Sequence, residues 1–491
     1  MNYNLSCKER LPPIRIAPKT QFIRAPMPSH VIDSRFLRDL YGTAAMRQIW
    51  SDEQLLQRWL DYEAALARAE AAVGLVPVAA AEEITRKAQA SLFDLDAIKA
   101  GIDKAVHPLV PVIWQLSTLC DGDSGGYVHW GATTQDVTDT ALILQLRDAI
   151  VEIEASFNEL IGILANLART YRATPMVGRT HGQQALPMTF GFKVAMWLAE
   201  CMRHAERLDA CKPRLLVGEF GGAVGTLAGI ADHGLAVRKN LMAELDLREP
   251  LIAWHSSRDH IAEFAGIAAG ITATTGKIAH EIINLQMNEV GEVEELWEEG
   301  KVGSSTMPQK RNPMLCETIL TLSRLTRQHA ALSLDAMLHD FERDWSSVQM
   351  EWEFVPELCI MTHGALSTTN RVLSMLAVHP DRMLSNLHIS GGQLVAERVM
   401  FALAGRVGRQ KAHDIVHEIS MAAVNTRTPF ADALKRHPAV SSHLDAVEIE
   451  RLLDPTTYIG LAVEFVDNVL AALPAATHGR QAGTIAKEQL S

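Results

Sequence analysis

The sequence predicts an all-α protein, three helical domains arranged around a central bundle of long helices that forms a multi-helix tetramer core. Two apolar seams and the scarcity of strict alternation carry that expectation. Leu146, Ile150, Ile153, Phe157, Leu160, Leu164 and Leu167 recur at alternating steps of four and three, with Glu152, Glu154 and Asn158 between them. That spacing belongs to a helix packing lengthwise against partners. Ile261, Phe264, Ala268, Ile271, Thr275, Ile278, Ile282 and Leu285 form a second seam, whose small residues permit close approach. Further helical patterns near 188–208 and 323–338 fill out the bundle, with little or no sheet expected.

At 491 residues the chain exceeds one ordinary core. Residues 1–32 carry basic residues and prolines without a continuous apolar stretch, so they read as an extension outside the folded core rather than a secretory signal. An N-terminal helical domain is expected over 33–137, the long-helix bundle over 138–384 and a C-terminal helical domain over 385–491. Glycine clusters interrupt the helical background at 125–131, 218–229 and 299–313. Loops carried on a rigid bundle are where chemistry is usually placed.

Apolar residues make up 48% of the chain and charged residues 21%, which is the balance of a globular protein. The formal charge of −12, with no stretch of concentrated Lys and Arg, excludes a nucleic-acid-binding surface. A few placed cations can still hold an anionic substrate. Cys7, Cys120, Cys201, Cys211, Cys316 and Cys359 show no CxxC spacing, which fits reduced thiols in a cytoplasm. No run reaches the roughly 18 apolar residues of a membrane span. Neither a metal nor another cofactor is expected, because the histidines and acids lack HExxH or HxxEH spacing.

The sharpest segment is Gly303-Ser304-Ser305-Thr306-Met307-Pro308-Gln309-Lys310-Arg311-Asn312-Pro313, preceded by Glu289-Val290-Gly291-Glu292. Glycine, paired serines and two prolines describe a mobile loop, and Lys310 and Asn312 offer it a cation and an amide suited to a carboxylate. The segment resembles the GSSxMPxKxNP signature of the fumarase/aspartase superfamily, with every fixed letter present. Two further regions resemble that superfamily in the expected order. One is Tyr127-Val128-His129-Trp130-Gly131-Ala132-Thr133-Thr134-Gln135-Asp136-Val137, with Thr134 where Ser is usual, and the other is Val177-Gly178-Arg179-Thr180-His181-Gly182-Gln183.

The resemblance covers roughly 40–466 and implies a two-step elimination. A base removes the proton beside a carboxylate to give an aci-carboxylate, and an acid then assists the leaving group. Such a carbon acid ionises only where the developing dianion meets preorganised cations and donors. Carried over by motif position, Ser304 is the base, Lys310 and Asn312 hold the carboxylate, and Thr133, Thr134 and Thr180 donate hydrogen bonds. His181 is the acid or the group that orients it.

The resemblance divides between branches. The wording around Leu40–Met46, His107-Pro108-Leu109-Val110-Pro111, Trp254-His255 and Tyr458-Ile459-Gly460 is similar to 3-carboxy-cis,cis-muconate cycloisomerases. Histidines at 107, 129 and 181 resemble instead the C–N lyase branch, where a departing amine must be protonated as fumarate forms. Leu40-Tyr41 stands where adenylosuccinate lyases carry the Arg-Tyr that helps hold the nucleotide phosphate, which argues for a smaller substrate. Glu342-Arg343-Asp344-Trp345-Ser346 resembles the substrate-gripping region, with Arg343 on a second carboxylate. The expectation is a C–N lyase acting on an N-substituted aspartate, ahead of the cycloisomerase, with adenylosuccinate lyase or a structural superfamily member behind both. A homotetramer with shared active sites is expected, with the regions around His129, His181 and Ser304 coming from three different subunits.

Overall fold

A computed structural model describes residues 30–295, 306–307 and 309–473. Helix α1 (Asp52–Ala71) begins at Ser51, whose hydroxyl accepts from the Gln54 N–H, and Asp52 and Glu53 in its first turn face the positive helix end. The first predicted seam lies in α2 (Thr134–Thr170), where Leu146, Ile150, Ile153, Phe157, Leu160 and Leu164 are buried. Asp136 fixes the start of α2 by accepting from the Thr133 N–H at 2.9 Å.

After α2 the chain forms an antiparallel hairpin, β1 (Pro175–Thr180) and β2 (Gln183–Thr189). This hairpin is most of the little sheet found among the described residues, and the helix expected near 188 starts at 190. The β-branched residues Val177, Thr180 and Thr189 favour extended backbone, and Pro187 has no N–H to give a helix. His181 and Gly182, between the paired Thr180 and Gln183, both have positive φ, 54° and 73°. That is the two-residue turn whose twist matches a hairpin.

Helices α3 (Phe190–Leu215) and α4 (Asp259–Gln286) follow, and the whole second seam is buried in α4. A Cβ at Gly191 would lie 2.6 Å from Arg172 Cα and 2.7 Å from Tyr171 O, so glycine lets α3 start tight against the end of α2. The short strand β3 (Val293–Glu294) precedes α5 (Met314–Asp335) and α6 (Trp345–Ser374). Strand β4 (Ala377–Val378) pairs antiparallel with β3 and leads into α7 (Pro380–Leu387). The expected divisions at 137/138 and 384/385 fall inside α2 and α7.

Helices α2 to α6 form one up-and-down bundle, α4 against α5 and α5 against α6, so its loops collect at two ends. Its apolar core reaches from Ile32 to Val466. A second core gathers α8 (Ala396–Val407), α9 (Arg409–Thr426) and neighbours around Val399, Leu403 and Phe430. Among the described residues no helix is long and apolar enough to cross a membrane.

Candidate active site

At the end of the bundle where α2 starts, the structure brings together His107, His129, Thr133, Thr134 and Arg343. His129 Nδ1 lies 2.7 Å from Glu63 Oε1 on α1. A carboxylate only accepts, so the ring keeps its proton on Nδ1 and offers Nε2. Burial opposes charge on His129, but Glu63 outweighs it and holds the imidazole above its ordinary value. His107 is biased the other way, by burial first and then by His129. Its Nδ1 accepts from the Val110 N–H, so a neutral ring donates from Nε2 to Thr134 Oγ1, 3.3 Å away.

Arg343 enters from the turn before α6. Its Nε donates to Gln135 Oε1 at 2.8 Å and its Nη1 to the Ala223 carbonyl at 2.8 Å, while buried Nη2 has no hydrogen-bond partner among the described residues. Gln135 in turn donates to Asp139 Oδ2. Fully buried Arg258 donates from Nη1 to Asp139 Oδ2 at 2.6 Å and from Nε to Glu351 Oε1 at 2.8 Å, tying α2 and α6 beneath the cluster. One guanidinium thus bridges two buried carboxylates, and the network sets the site floor.

Thr180 and His181 lie exposed at the hairpin tip, at the opposite end of the bundle. Lys310 is exposed and Asn312 half-buried on the stem of the signature loop, at that same far end. The stem is clasped there: Gln286, the last residue of α4, donates to the Arg311 carbonyl at 3.1 Å and accepts from the Glu295 N–H at 2.9 Å. Glu295 accepts from the Leu315 and Cys316 N–H groups at the start of α5. Ser304 lies outside the described residues.

The candidate residues therefore form two groups. Helix α4 runs from Asp259, beside Asp139, to Gln286, beside the loop stem, and its 28 residues at ~1.5 Å each put the groups about 40 Å apart. Within one chain His107, His129, Thr133, Thr134 and Arg343 meet, and Thr180, His181, Lys310 and Asn312 do not join them.

Sequence reasoning missed Glu63, Gln135 and Asp136. Asp136, fully buried, accepts from the Gly221 and Gly222 N–H groups at 2.9 and 3.0 Å and from His255 Nε2 at 2.7 Å, as well as from Thr133. Two groups of described residues offer metal-ligand atoms within 4.8 Å of one another: Asp136, Glu219 and His255, and His329, Glu353 and Glu357. In the first, Asp136 already accepts from four protein donors, which fits a structural hub. In the second, His329 Nε2 already faces Glu357 at 3.0 Å in a partly exposed contact.

The family model described as Lyase matches residues 41–325, and the one described as Adenylosuccinate lyase C-terminus matches residues 392–469. The N-acetyl-S-(2-succino)cysteine lyase of Enterococcus italicus is 42% identical, over 91% of this chain and 98% of its own length. The 3-carboxy-cis,cis-muconate cycloisomerase of Bradyrhizobium diazoefficiens is 39% identical, over 90% of this chain and 98% of its own. The crystal structure of a fumarate lyase from Mesorhizobium sp. BNC1 is similar with a TM-score of 0.83 and 41% identity, covering 88% of this chain and 98% of that one.

Proposed function

From the premise that the chain belongs to the fumarase/aspartase superfamily of lyases, we propose that it releases fumarate by β-elimination from a succinate carrying an amine or a thiol at C2. Ser304 takes the proton from the carbon beside one carboxylate, leaving its electron pair as an aci-carboxylate held by Lys310 and Asn312. That pair then forms the double bond as the C–N or C–S bond breaks, and the departing heteroatom takes a proton from His181. Arg343 holds the second carboxylate. Thr133, Thr134 and Thr180 donate hydrogen bonds, neutral His107 orients Thr134, and His129 adds a cation.

The observation that carries this reading is the pair of histidines driven in opposite directions beside an arginine with a spare N–H group. A cationic His129, a neutral His107 that orients Thr134 and an open Arg343 N–H group together suit a site that holds a carboxylate. The sequence favours nitrogen as the leaving atom, and the likeness to a lyase named for a succinylated cysteine adds sulfur. The likeness to a cycloisomerase supports a second reading, ring closure of a carboxymuconate.

Sites are shared between the subunits of a homotetramer, with the regions around His129, His181 and Ser304 from three chains. The separation of about 40 Å between the two groups supports this, because one chain cannot close it. So does the rim of the first group, where Val106, Trp130, Val224 and Phe341 stand exposed beside His107, His129, Ala223 and Arg343 in the chain. A reducing cytoplasm fits the buried cysteines Cys120, Cys201, Cys211, Cys316 and Cys359.

The test is to incubate the protein with N-acetyl-S-(2-succino)cysteine, N-succinylated amines and 3-carboxymuconate and to follow products by proton NMR. Fumarate should appear mole for mole with thiol or amine, and Ser304→Ala should cut kcat by about 10²–10⁴-fold while fumarate still binds. Lactone from carboxymuconate with no fumarate from any adduct would replace this reading with the cycloisomerase.

A further inference from the structure

The hairpin that carries His181 is exposed at its tip, yet β1 is fixed just before the turn by a buried group with no part in the proposed reaction. Arg179, two residues before His181, donates from Nη1 to Glu292 Oε2 at 2.9 Å and from Nη2 to Glu292 Oε1 at 2.7 Å. Glu292 is wholly buried, and Asn386 of α7, 1% exposed, donates from Nδ2 to the same Oε1 at 2.7 Å. That amide also donates to the Val290 carbonyl, and Gln184 of β2 donates back to the Asn386 carbonyl. The backbone closes the knot, since the Glu292 carbonyl accepts from the His379 N–H and the Glu292 N–H donates to the Leu285 carbonyl at the end of α4. Val177 of β1 packs with Leu387 and Leu394 in a small apolar cluster of their own.

One carboxylate thus joins three segments: the hairpin of Thr180 and His181, the strand that leads into the signature loop, and the helix that opens the C-terminal region. A two-point guanidinium–carboxylate pair fixes angle as well as distance. We propose that Glu292 is the positioning residue of the hairpin, setting where His181 stands relative to the loop stem. The inference rests on the fumarate-releasing reading for its kinetic consequence. Its structural consequence stands apart from that reading.

Three variants test it. Arg179→Lys keeps the charge but loses the two-point geometry. Glu292→Gln removes the charge, and Arg179→Met with Glu292→Met replaces the pair by apolar side chains of similar length. Turnover and KM are read from fumarate release, stability from the thermal midpoint, and hairpin order from hydrogen exchange of peptides covering 175–189. Arg179→Lys should lose about 10- to 100-fold in kcat, with KM within about twofold and the midpoint close to wild type. Glu292→Gln should speed exchange in 175–189 and leave 134–146, at the other end of the bundle, unchanged. The double variant should regain the wild-type midpoint and not the turnover, which a merely structural pair would restore. Wild-type kcat in Arg179→Lys and the double variant would overturn the proposal, as would unchanged exchange in Glu292→Gln. A wild-type protein that releases no fumarate defeats the proposed function instead, and the exchange result then decides the clamp alone.

Discussion

His107 and His129 lie in one cluster and titrate apart because only one of them has a buried carboxylate at 2.7 Å. The sign of the pH dependence follows. His129 is raised in the folded protein, so the stabilisation from its pair with Glu63 is full below the ordinary histidine value of about 6.5 and is lost as pH rises through the raised value. If the imidazolium helps hold the substrate anion, kcat/KM falls over that same window. Glu63→Gln removes the main charge that opposes burial and leaves only the weaker influence of Asp136, so the fall should move to lower pH; an unmoved basic limb would show that another group sets it. The pair left a trace in the sequence. Leu56, Leu60, Glu63, Ala67 and Glu70 recur at steps of four and three along α1, so two acids occupy its apolar seam, and both are buried. Such a position asks for a partner, but Glu63 finds it 66 residues away in His129, which no local spacing reveals. Burial, and then Glu63, pushes Glu70 up to about 8, so at neutral pH it is largely a protonated acid. Arg343 could be singled out because its motif is local. Gln135, which orients it, was hidden beside the threonine pair.

At the scale of elements, the start of α2 depends on one side chain. Asp136 accepts from Thr133, Gly221, Gly222 and His255, so it holds the helix to the glycine loop that supplies the Ala223 carbonyl to Arg343. The burial of His255 works against its charge, and its hydrogen bond to Asp136 with nearby acids raises it nonetheless. Asp136→Ala would strand that imidazole and two buried N–H groups, lowering stability by about 3–5 kcal/mol, read as a fall in the urea midpoint. A midpoint equal to wild type would show that the loop is held by other contacts. The long helices were legible because a seam repeats over many turns, and every residue of the second seam is buried. The hairpin was not, because its strands are short and its turn is His-Gly rather than the usual Asn-Gly. A clue was present, since His129 and His181 both take positive φ, a region in which histidine is enriched among non-glycine residues.

At the scale of the molecule, the motifs that read as one site along the sequence occupy two ends of a bundle. The signature regions named the chemistry, but a list of motifs has no length, and helix α4 supplies the about 40 Å that separates them. That distance makes the central claim testable without a structure of the assembly: fumarate release requires the Arg343 end of one chain and the His181 end of another. The direct measurement co-refolds equal amounts of Arg343→Met and His181→Ala chains and follows fumarate release at limiting substrate, with native mass spectrometry to verify hybrid tetramers. Each site draws its two ends independently, so about a quarter of wild-type activity should return from parents that each retain almost none. Hybrid tetramers that recover no activity would contradict the shared site.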